Sequence, residues 1–175
     1  MHICCGPCLI YPLQRLNGQG SRVKGFFYNP NIHPAEEYNR REEAVRLLSR
    51  KLQFPVEYAE YLPSEFFQAI GDDTSAPQRC SRCWRLRLKM AALYAKAGGF
   101  DAFTSTLLVS PYQDQDALKQ LGAEAALEAQ VDFYYEDFRP GFRQAHSQAK
   151  EEGIYCQKYC GCSYSEGERK IKAKK

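Results

Sequence analysis

The sequence predicts a single α/β domain over residues 1–175, a layered fold built around a mostly parallel sheet. Two observations carry this prediction. Stretches rich in aromatic and β-branched residues alternate with helix-like stretches of ten or more residues, which is typical of a parallel sheet covered by helices. No linker, repeat or low-complexity segment divides the sequence, and 175 residues are enough to bury one core.

Each predicted element follows from a local pattern. Aromatic and β-branched runs that end at turn residues predict strands within residues 22–30, 54–62, 100–108 and 131–138. Apolar residues at helical spacing predict helices over 33–52, from Cys83 to Gly98, over 114–130 and over 141–153. The predicted apolar face of the helix after Cys83 consists of Leu86, Met90, Leu93, Tyr94 and Ala97. Only Met1, His2 and Ile3 precede Cys4, so either the sheet begins abruptly or the chain lacks residues upstream.

The loops that follow the predicted strands are rich in reactive and polar residues. They read CCGPC (4–8), YNPNIHP (28–34), STLLVSPYQD (105–114) and EDFRPG (136–141). Ligands of parallel sheets gather at the carboxyl ends of the strands. We therefore expect these loops to meet at one edge of a Rossmann-like or HUP-like sheet and to form a metal site there.

The composition indicates a reducing compartment. Eight cysteines in 175 residues fall short of the ~8–10% that marks small disulfide scaffolds. The sequence shows neither a secretory leader pattern nor an apolar run near the ~18 residues of a membrane span. We therefore expect a cytoplasmic protein without a membrane partner, in which clustered cysteines bind metal or perform redox chemistry.

The cysteines form three groups, and several chemistries compete for them. The groups are Cys4, Cys5 and Cys8; Cys80 and Cys83; and Cys156, Cys160 and Cys162. A thioredoxin-like CGPC motif would explain two of the eight cysteines. A zinc site would take the two CxxC pairs, at positions 5–8 and 80–83. An iron–sulfur cluster would instead use the adjacent pair Cys4 and Cys5 with Cys80 and Cys83, if the backbone turns at Gly6-Pro7.

The spacing Cys160-Gly161-Cys162 has two interpretations. A disulfide between these residues would close a very small ring, and a strained disulfide is easily reduced. The pair would then be a redox-active dithiol. The alternative is two ordinary thiols in a glycine turn.

Basic residues are concentrated in two segments. The first contains Arg79, Arg82, Arg85, Arg87 and Lys89 without an acid among them, and the second is the tail ERKIKAKK. Such clusters suit a polyanion, and for the tail a solvated terminus is an equal alternative. The four arginines cannot all face one way on a helix, so we expect some of them to be structural.

Six segments taken together resemble the QueH family of epoxyqueuosine reductases. They are HICCGPC, FFYNPNIHPAEEYNRR, CSRCWRLRL, FDAFTSTLLVSPYQ, EDFRPG and YCQKYCGCSYSE, in this order from Cys4 to about Glu166. The resemblance implies cobalamin-independent reduction of epoxyqueuosine to queuosine at the wobble position of a tRNA. It also implies a 4Fe-4S cluster on Cys4, Cys5, Cys80 and Cys83, a redox-active pair at Cys160 and Cys162, and an external electron donor.

The reaction also requires a second source of electrons and proton donors, and other residues are candidates for these roles. Removal of the epoxide oxygen as water takes two electrons and two protons, so a second redox element beside the cluster is expected. It is either the dithiol or an additional iron near Cys8 and Cys156, which would also act as a Lewis acid. Asp137 and His33 are candidate proton donors. The alternatives are that Asp137 only pairs with Arg139 and that His33 caps or packs against the helix that it opens.

The tRNA partner assigns a function to the first basic segment. A single modified base must enter a pocket, so we expect contacts to the backbone phosphates of the anticodon loop and aromatic stacking. Arg79, Arg82, Arg85 and Arg87 are the candidates for the phosphates.

Two other functions compete with this one. The ATP-using tRNA thiolation enzymes share the sheet architecture and cysteine pairs, but CCGPC stands where their phosphate-binding loop would lie. A zinc-stabilised tRNA-binding module would be colourless and would have no redox activity.

Overall fold

The computed structural model describes residues 1–172, and it is a helix-rich α/β domain with short parallel strands. The helices within this range are α1 (Gly6–Gly18), α2 (Ala35–Lys51), α3 (Pro63–Ile70), α4 (Gln78–Ala97), α5 (Gln115–Ala129), α6 (Phe142–Glu151) and α7 (Ser163–Lys172). The strands are β1 (Gly25–Phe27), β2 (Val56–Tyr58), β3 (Ala102–Phe103) and β4 (Asp132–Phe133). The α/β prediction is thus confirmed. Lys174 and Lys175 of the basic tail lie outside the described residues.

The first three residues join two pairs of parallel strands. β1 pairs with β2, and β3 pairs with β4. His2 forms parallel bridges to Phe26 on one side and to Ser105 on the other. The backbone N–H of His2 donates to the carbonyl of Thr104 at 2.8 Å, and Ile3 N–H donates to the carbonyl of Phe26 at 2.9 Å. The spatial order is therefore β2, β1, residues 1–3, β3 and β4.

Two apolar clusters cover opposite faces of these strands. Phe26 belongs to the cluster formed with α4 and α5, and its neighbour Phe27 belongs to the cluster formed with α1, α2 and α6. Successive side chains of a strand point to opposite faces, so the helices form one layer on each side. None of the helices among residues 1–172 is both long and apolar enough to cross a bilayer.

Helix α1 begins where the sequence suggested a turn. Gly6 and Pro7 are its first two residues, and Cys5 is its N-cap. Proline is tolerated in the first turn because the N–H groups there have no intrahelical partner. Cys8 therefore lies one turn into the helix, beside Cys5. Helices α3 and α7 were not predicted either.

Helix α4 begins at Gln78, and its buried face agrees only in part with the predicted one. Leu93 is 44% exposed and Ala97 is also exposed. The buried face consists of Arg79, Cys83, Trp84, Arg87, Leu88, Ala91, Ala92 and Ala95. The predicted Leu86, Met90 and Tyr94 are partly buried and pack against the core cluster, so the prediction was wrong for Leu93 and Ala97 and missed the fully buried residues beside this face.

Candidate thiol-rich active site

Three thiols converge at the N-terminus of α1. The Sγ atoms of Cys4, Cys5 and Cys8 all lie within 4.8 Å of one another, and those of Cys4 and Cys5 are 3.6 Å apart. No other group of three potential metal-binding side chains within residues 1–172 is this compact. The sequence predicts Cys8 near an additional iron together with Cys156. In the structure Cys8 lies one helical turn after Cys5, which places its sulfur beside those of Cys4 and Cys5.

Thr106 fixes Cys4 from the end of the neighbouring strand. Its Oγ1 accepts the backbone N–H of Cys4 at 3.0 Å and donates to the Cys4 sulfur at 3.2 Å. Thr106 opens a short 3-10 helix (Thr106–Val109) directly after β3. The three-thiol group therefore lies at the carboxyl edge of the strands, as expected from the loop pattern.

The electrostatics of the group favour a thiolate at Cys4. Hydrogen bonds from Cys5 and Cys8 lower the pKa of Cys4 well below its ordinary value, and the charge of Arg87 and the hydroxyl of Thr106 act in the same direction. Burial raises the pKa of Cys5, and hydrogen bonds to the other two sulfurs raise the pKa of Cys8. The three thiols also lie at the N-terminus of α1, where the helix dipole favours a thiolate.

The donor set fits a thiolate-bound metal. In tetrahedral coordination with metal–sulfur bonds of about 2.3 Å, neighbouring sulfurs lie about 3.8 Å apart. The three sulfurs of the group are already close to that spacing. A bound cation would replace the shared protons, and little movement of Cys4 or Cys5 would be needed.

The other predicted cluster ligands, Cys80 and Cys83, lie in the first two turns of α4. Cys80 packs against the apolar cluster that includes Cys5 and Cys8, whereas Cys83 packs in a smaller cluster with Cys162. Burial is the main cause that raises the pKa of Cys83 to about 12, and the nearby Cys160 and Cys162 act in the same direction. The structure thus brings Cys80 and Cys83 near the predicted redox pair and does not place them within the compact three-thiol group.

Cys160 and Cys162 are free thiols in different environments. Cys160 is exposed, and its sulfur accepts a hydrogen bond from Gln113 Nε2 at 3.6 Å. Cys162 is 6% exposed and contacts Phe66 and Cys83 within its apolar cluster. Gly161 between them has φ +146°, and a Cβ there would lie 2.9 Å from Asn31 Nδ2. Glycine is therefore required by both backbone conformation and space.

Cys156 lies apart from the three-thiol group. Its Sγ contacts the carbonyl of Ile154 at 3.5 Å, and the next residue, Gln157, donates through Nε2 to the Cys8 sulfur at 3.8 Å. The segment around Cys156 therefore approaches Cys8, although the two sulfurs do not contact each other.

The structure separates the four candidate phosphate-binding arginines into two kinds. Arg79 and Arg87 are buried, and their guanidinium groups donate to Glu168 at 2.8 Å and to Asn29 at 2.9 Å. These two are structural, which corrects their assignment to surface phosphates. Arg82 and Arg85 are exposed. Arg82 pairs with Asp73, and Arg85 pairs with Glu124 at 2.5 Å.

Both candidate proton donors make other contacts. The alternative contact foreseen from the sequence is found for Asp137, whereas the His33 ring packs on α3 and not on α2, the helix that it precedes. Asp137 forms a bidentate pair with Arg139 at 2.8 and 2.6 Å, which lowers the pKa of Asp137. The His33 ring stacks on Phe67 with centroids 5.0 Å apart. Burial lowers the pKa of His33, and a hydrogen bond with the backbone of Pro30 acts in the opposite direction.

Sequence reasoning missed several residues at this edge. Thr106, Gln113 and Gln157 contact the thiols directly, and Arg41 holds the Cys160 loop. Thr106 and Gln113 lie in a loop that the sequence did place at the edge, so position was a usable signal. The sequence gave no signal for the role of Arg41, because an arginine in a charged helical run is ordinarily exposed.

This fold and site define an α/β protein whose cysteine-rich sheet edge is suited to metal binding and thiol chemistry. The family described as "Epoxyqueuosine reductase QueH" matches residues 1–168, and the chain belongs to that family. A relative of that name from Dehalococcoides mccartyi is 38% identical, with 97% of this chain and 92% of the relative covered. The relative of that name from Thermotoga maritima is 33% identical, with 98% and 92% covered. The relative of that name from Streptococcus pyogenes is 32% identical, with 94% and 69% covered.

Proposed function

We propose that this protein reduces the epoxide of epoxyqueuosine at the wobble position of a tRNA, the last step of queuosine biosynthesis. The observation that carries the proposal is the compact group of Cys4, Cys5 and Cys8 at the sheet edge of a chain that belongs to the epoxyqueuosine reductase QueH family. The reaction is cytoplasmic and requires an external electron donor.

We further propose that residues 1–175 are one metal-binding catalytic domain with a Rossmann-like, HUP-like sheet. The strand order supports this proposal. If residues 1–3 are counted as the first strand, the pairings and bridges give the order 3-2-1-4-5, which is that of the Rossmann-like class. The thiols then follow the central strand, where ligands of this class bind.

A 4Fe-4S cluster is the proposed cofactor, with Cys4, Cys5, Cys80 and Cys83 as ligands. The position of Cys4 and Cys5 at the sheet edge supports two of these ligands, although their sulfurs, 3.6 Å apart, would have to separate to bind two different irons. The packing of Cys80 on the same apolar cluster supports a third. When bound, the cluster supplies single-electron transfer. Cys8 and Cys156 are the proposed ligands of an additional iron, and the Gln157 contact to Cys8 supports their proximity.

The residues of the chain supply the rest of the chemistry. Oxidation of Cys160 and Cys162 to a disulfide releases two electrons and two protons, which balance the conversion of an epoxide to an alkene and water. His33 and Asp137 are the proposed proton donors at this edge. Of the two, His33 lies beside Phe67 and outside any carboxylate–guanidinium pair that the structure describes, whereas Arg139 favours the ionised form of Asp137.

The direct test is turnover with the modified tRNA. Anaerobically purified protein is incubated with tRNA that contains epoxyqueuosine and with a low-potential chemical reductant, and the nucleosides are analysed by mass spectrometry. We expect conversion to queuosine by loss of one oxygen atom, and a brown protein. A colourless, zinc-containing protein that binds tRNA without converting it would support the zinc-stabilised binding module instead.

Binding of tRNA should weaken steeply as salt increases, because phosphate contacts release counterions. Charge reversal at Arg85 should weaken binding and reduce the slope of log K against log salt by about 0.7–0.9 for each phosphate that is no longer neutralised. Filter binding at several salt concentrations measures both effects. Reversal of Arg46, which is exposed and paired with Glu42, is the control. Affinity that is indifferent to salt would contradict the role of phosphates in binding.

Tyr112 is the proposed base-stacking residue for the anticodon loop. It is 84% exposed, its ring meets Phe142 edge-on at 5.9 Å, and the adjacent Gln113 contacts the exposed Cys160. Base stacking on an aromatic side chain contributes about 1–3 kcal/mol, so Tyr112→Ala should weaken tRNA binding by that amount while Tyr112→Trp retains it. Leu127→Ala, at an 82% exposed position on α5, is the control and should have no effect.

A further inference from the structure

Three consecutive carbonyl groups of the Cys160 loop are held from one neighbouring segment. Arg41 donates from Nη2 to the carbonyl of Tyr159 at 3.0 Å and from Nη1 to the carbonyl of Cys160 at 2.9 Å. The backbone N–H of His33 donates to the carbonyl of Gly161 at 2.9 Å. The hydroxyl of Tyr159 returns a hydrogen bond to the carbonyl of His33. The loop is therefore fixed to the start of α2 over its whole central part.

Arg41 is itself rigidly placed. It is 2% exposed, and its Nε donates to Glu37 Oε1 at 2.8 Å one helical turn earlier. Glu37 is 1% exposed and also accepts the Tyr155 hydroxyl at 2.5 Å. A guanidinium is a planar fork with donors in fixed directions, so it can bind the carboxylate and both carbonyls at once. A lysine ammonium, as a single point of donation, cannot reproduce this arrangement.

This anchor determines where the two thiols point. Cys160 is exposed at the surface, whereas Cys162 is buried in the cluster with Cys83, and its sulfur accepts the backbone N–H of Ser165 at 3.4 Å. Gly161 lies against Asn31 without room for a side chain, so the loop cannot rotate freely between the two thiols. The anchored loop thus keeps Cys160 at an exposed position, with its sulfur against Gln113, and Cys162 inside the apolar cluster.

We propose that Arg41 is a positioning residue of the dithiol and that it makes Cys160 the thiol that exchanges with the external reductant. Cys162 is then the resolving thiol, which faces the interior. This inference rests on the proposed function, because it assumes that Cys160 and Cys162 form a disulfide during turnover.

The exchange reaction balances with a thiol reductant. A thiolate attacks Cys160 Sγ of the disulfide, forms a mixed disulfide there and releases Cys162 as a thiolate. A second thiol of the reductant attacks the mixed disulfide, leaves as the oxidised reductant and restores the Cys160 thiol. In total, one disulfide and two thiols become two thiols and one disulfide. Attack at an accessible sulfur is faster than attack at a buried one.

The test measures the position of the mixed disulfide and the thiol–disulfide equilibrium. Anaerobically purified protein is equilibrated in buffers of reduced and oxidised glutathione, alkylated and analysed by mass spectrometry. For the wild type, we expect mixed disulfide with glutathione at Cys160 and not at Cys162. In Arg41→Lys, this selectivity should disappear, and the equilibrium should shift at least tenfold, about 30 mV, toward the internal disulfide because the thiols are no longer held apart.

Arg46→Lys is the matched control, because Arg46 lies on the same helix but is exposed and pairs with Glu42 at 2.5 Å. An Arg41→Lys protein with the melting temperature of the control and with unchanged selectivity and equilibrium overturns the proposal. If Arg41→Lys does not fold, Tyr159→Phe decides, since it removes one hydroxyl from the same anchor. A smaller shift in the same direction supports the proposal, and no shift overturns it.

The outcomes also separate this inference from the proposed function. If the wild type forms no disulfide between Cys160 and Cys162 at any glutathione ratio, the redox pair itself is wrong. If that disulfide forms but Arg41 and Tyr159 do not affect it, the redox pair stands and the positioning role is wrong.

Discussion

A protein in which Cys160 and Cys162 are both replaced by serine should keep its metal and its tRNA affinity but lose conversion of epoxyqueuosine to the level of a protein-free control. The thiols are free and lie at the end of the loop that follows α6, so their sulfurs add little to the stability of the sheet. Cys162 is the more buried of the two, and serine is close to cysteine in size. The expected loss is therefore one of chemistry.

Three measurements on the same double variant give this prediction its meaning. Iron and sulfide content reports the cluster, filter binding reports tRNA affinity, and nucleoside mass spectrometry reports turnover. A loss of colour would mean that the pair binds metal, which the proximity of Cys83 to Cys162 makes a specific alternative. Retained turnover would mean that Cys160 and Cys162 take no part in the reaction. The second redox element would then be an additional iron near Cys8 and Cys156.

The strands and most long helices could be predicted because their signals are local. The strand at residues 25–27 is a run of aromatic residues that ends before Asn29-Pro30, and α2 and α5 follow apolar residues at helical spacing. The position of the site also followed from local order, because each reactive loop comes after a strand. The topology then brings the loops to one edge.

The partners of the buried arginines could not be predicted. Arg79 binds Glu168, which is 89 residues away, and Arg87 binds Asn29, which is 58 residues away. A buried charge requires a pairing group, and a distant pairing group cannot be identified from the sequence. A run of basic residues therefore predicts a surface that binds polyanions. Cys8 is a different case. Its position three residues after Cys5 places it on the same side of a helix, but the Gly6-Pro7 pair suggested a turn.

Single alanine substitutions should divide the thiols into ligands and neighbours. We expect Cys4→Ala to cause the largest loss of bound iron and sulfide, because Cys4 has the most favoured thiolate and lies within hydrogen-bonding distance of Cys5 and Thr106. Cys5→Ala, Cys80→Ala and Cys83→Ala should each lower the cluster content as well. Metal and sulfide analysis of anaerobically reconstituted protein measures these losses, and Cys160→Ala is the control that should retain the cluster.

The comparison of Cys8→Ala with Cys80→Ala is the most informative step. Cys8 lies in the compact group with Cys4 and Cys5, whereas Cys80 lies on α4 and packs against the same apolar cluster. If Cys80 is a cluster ligand, its loss removes sulfide together with iron, while loss of Cys8 removes iron alone because it holds the additional ion. If Cys80→Ala retains the full cluster and Cys8→Ala loses it, the ligand set must be rebuilt around Cys4, Cys5 and Cys8. Cys80 on α4 would then not be a cluster ligand.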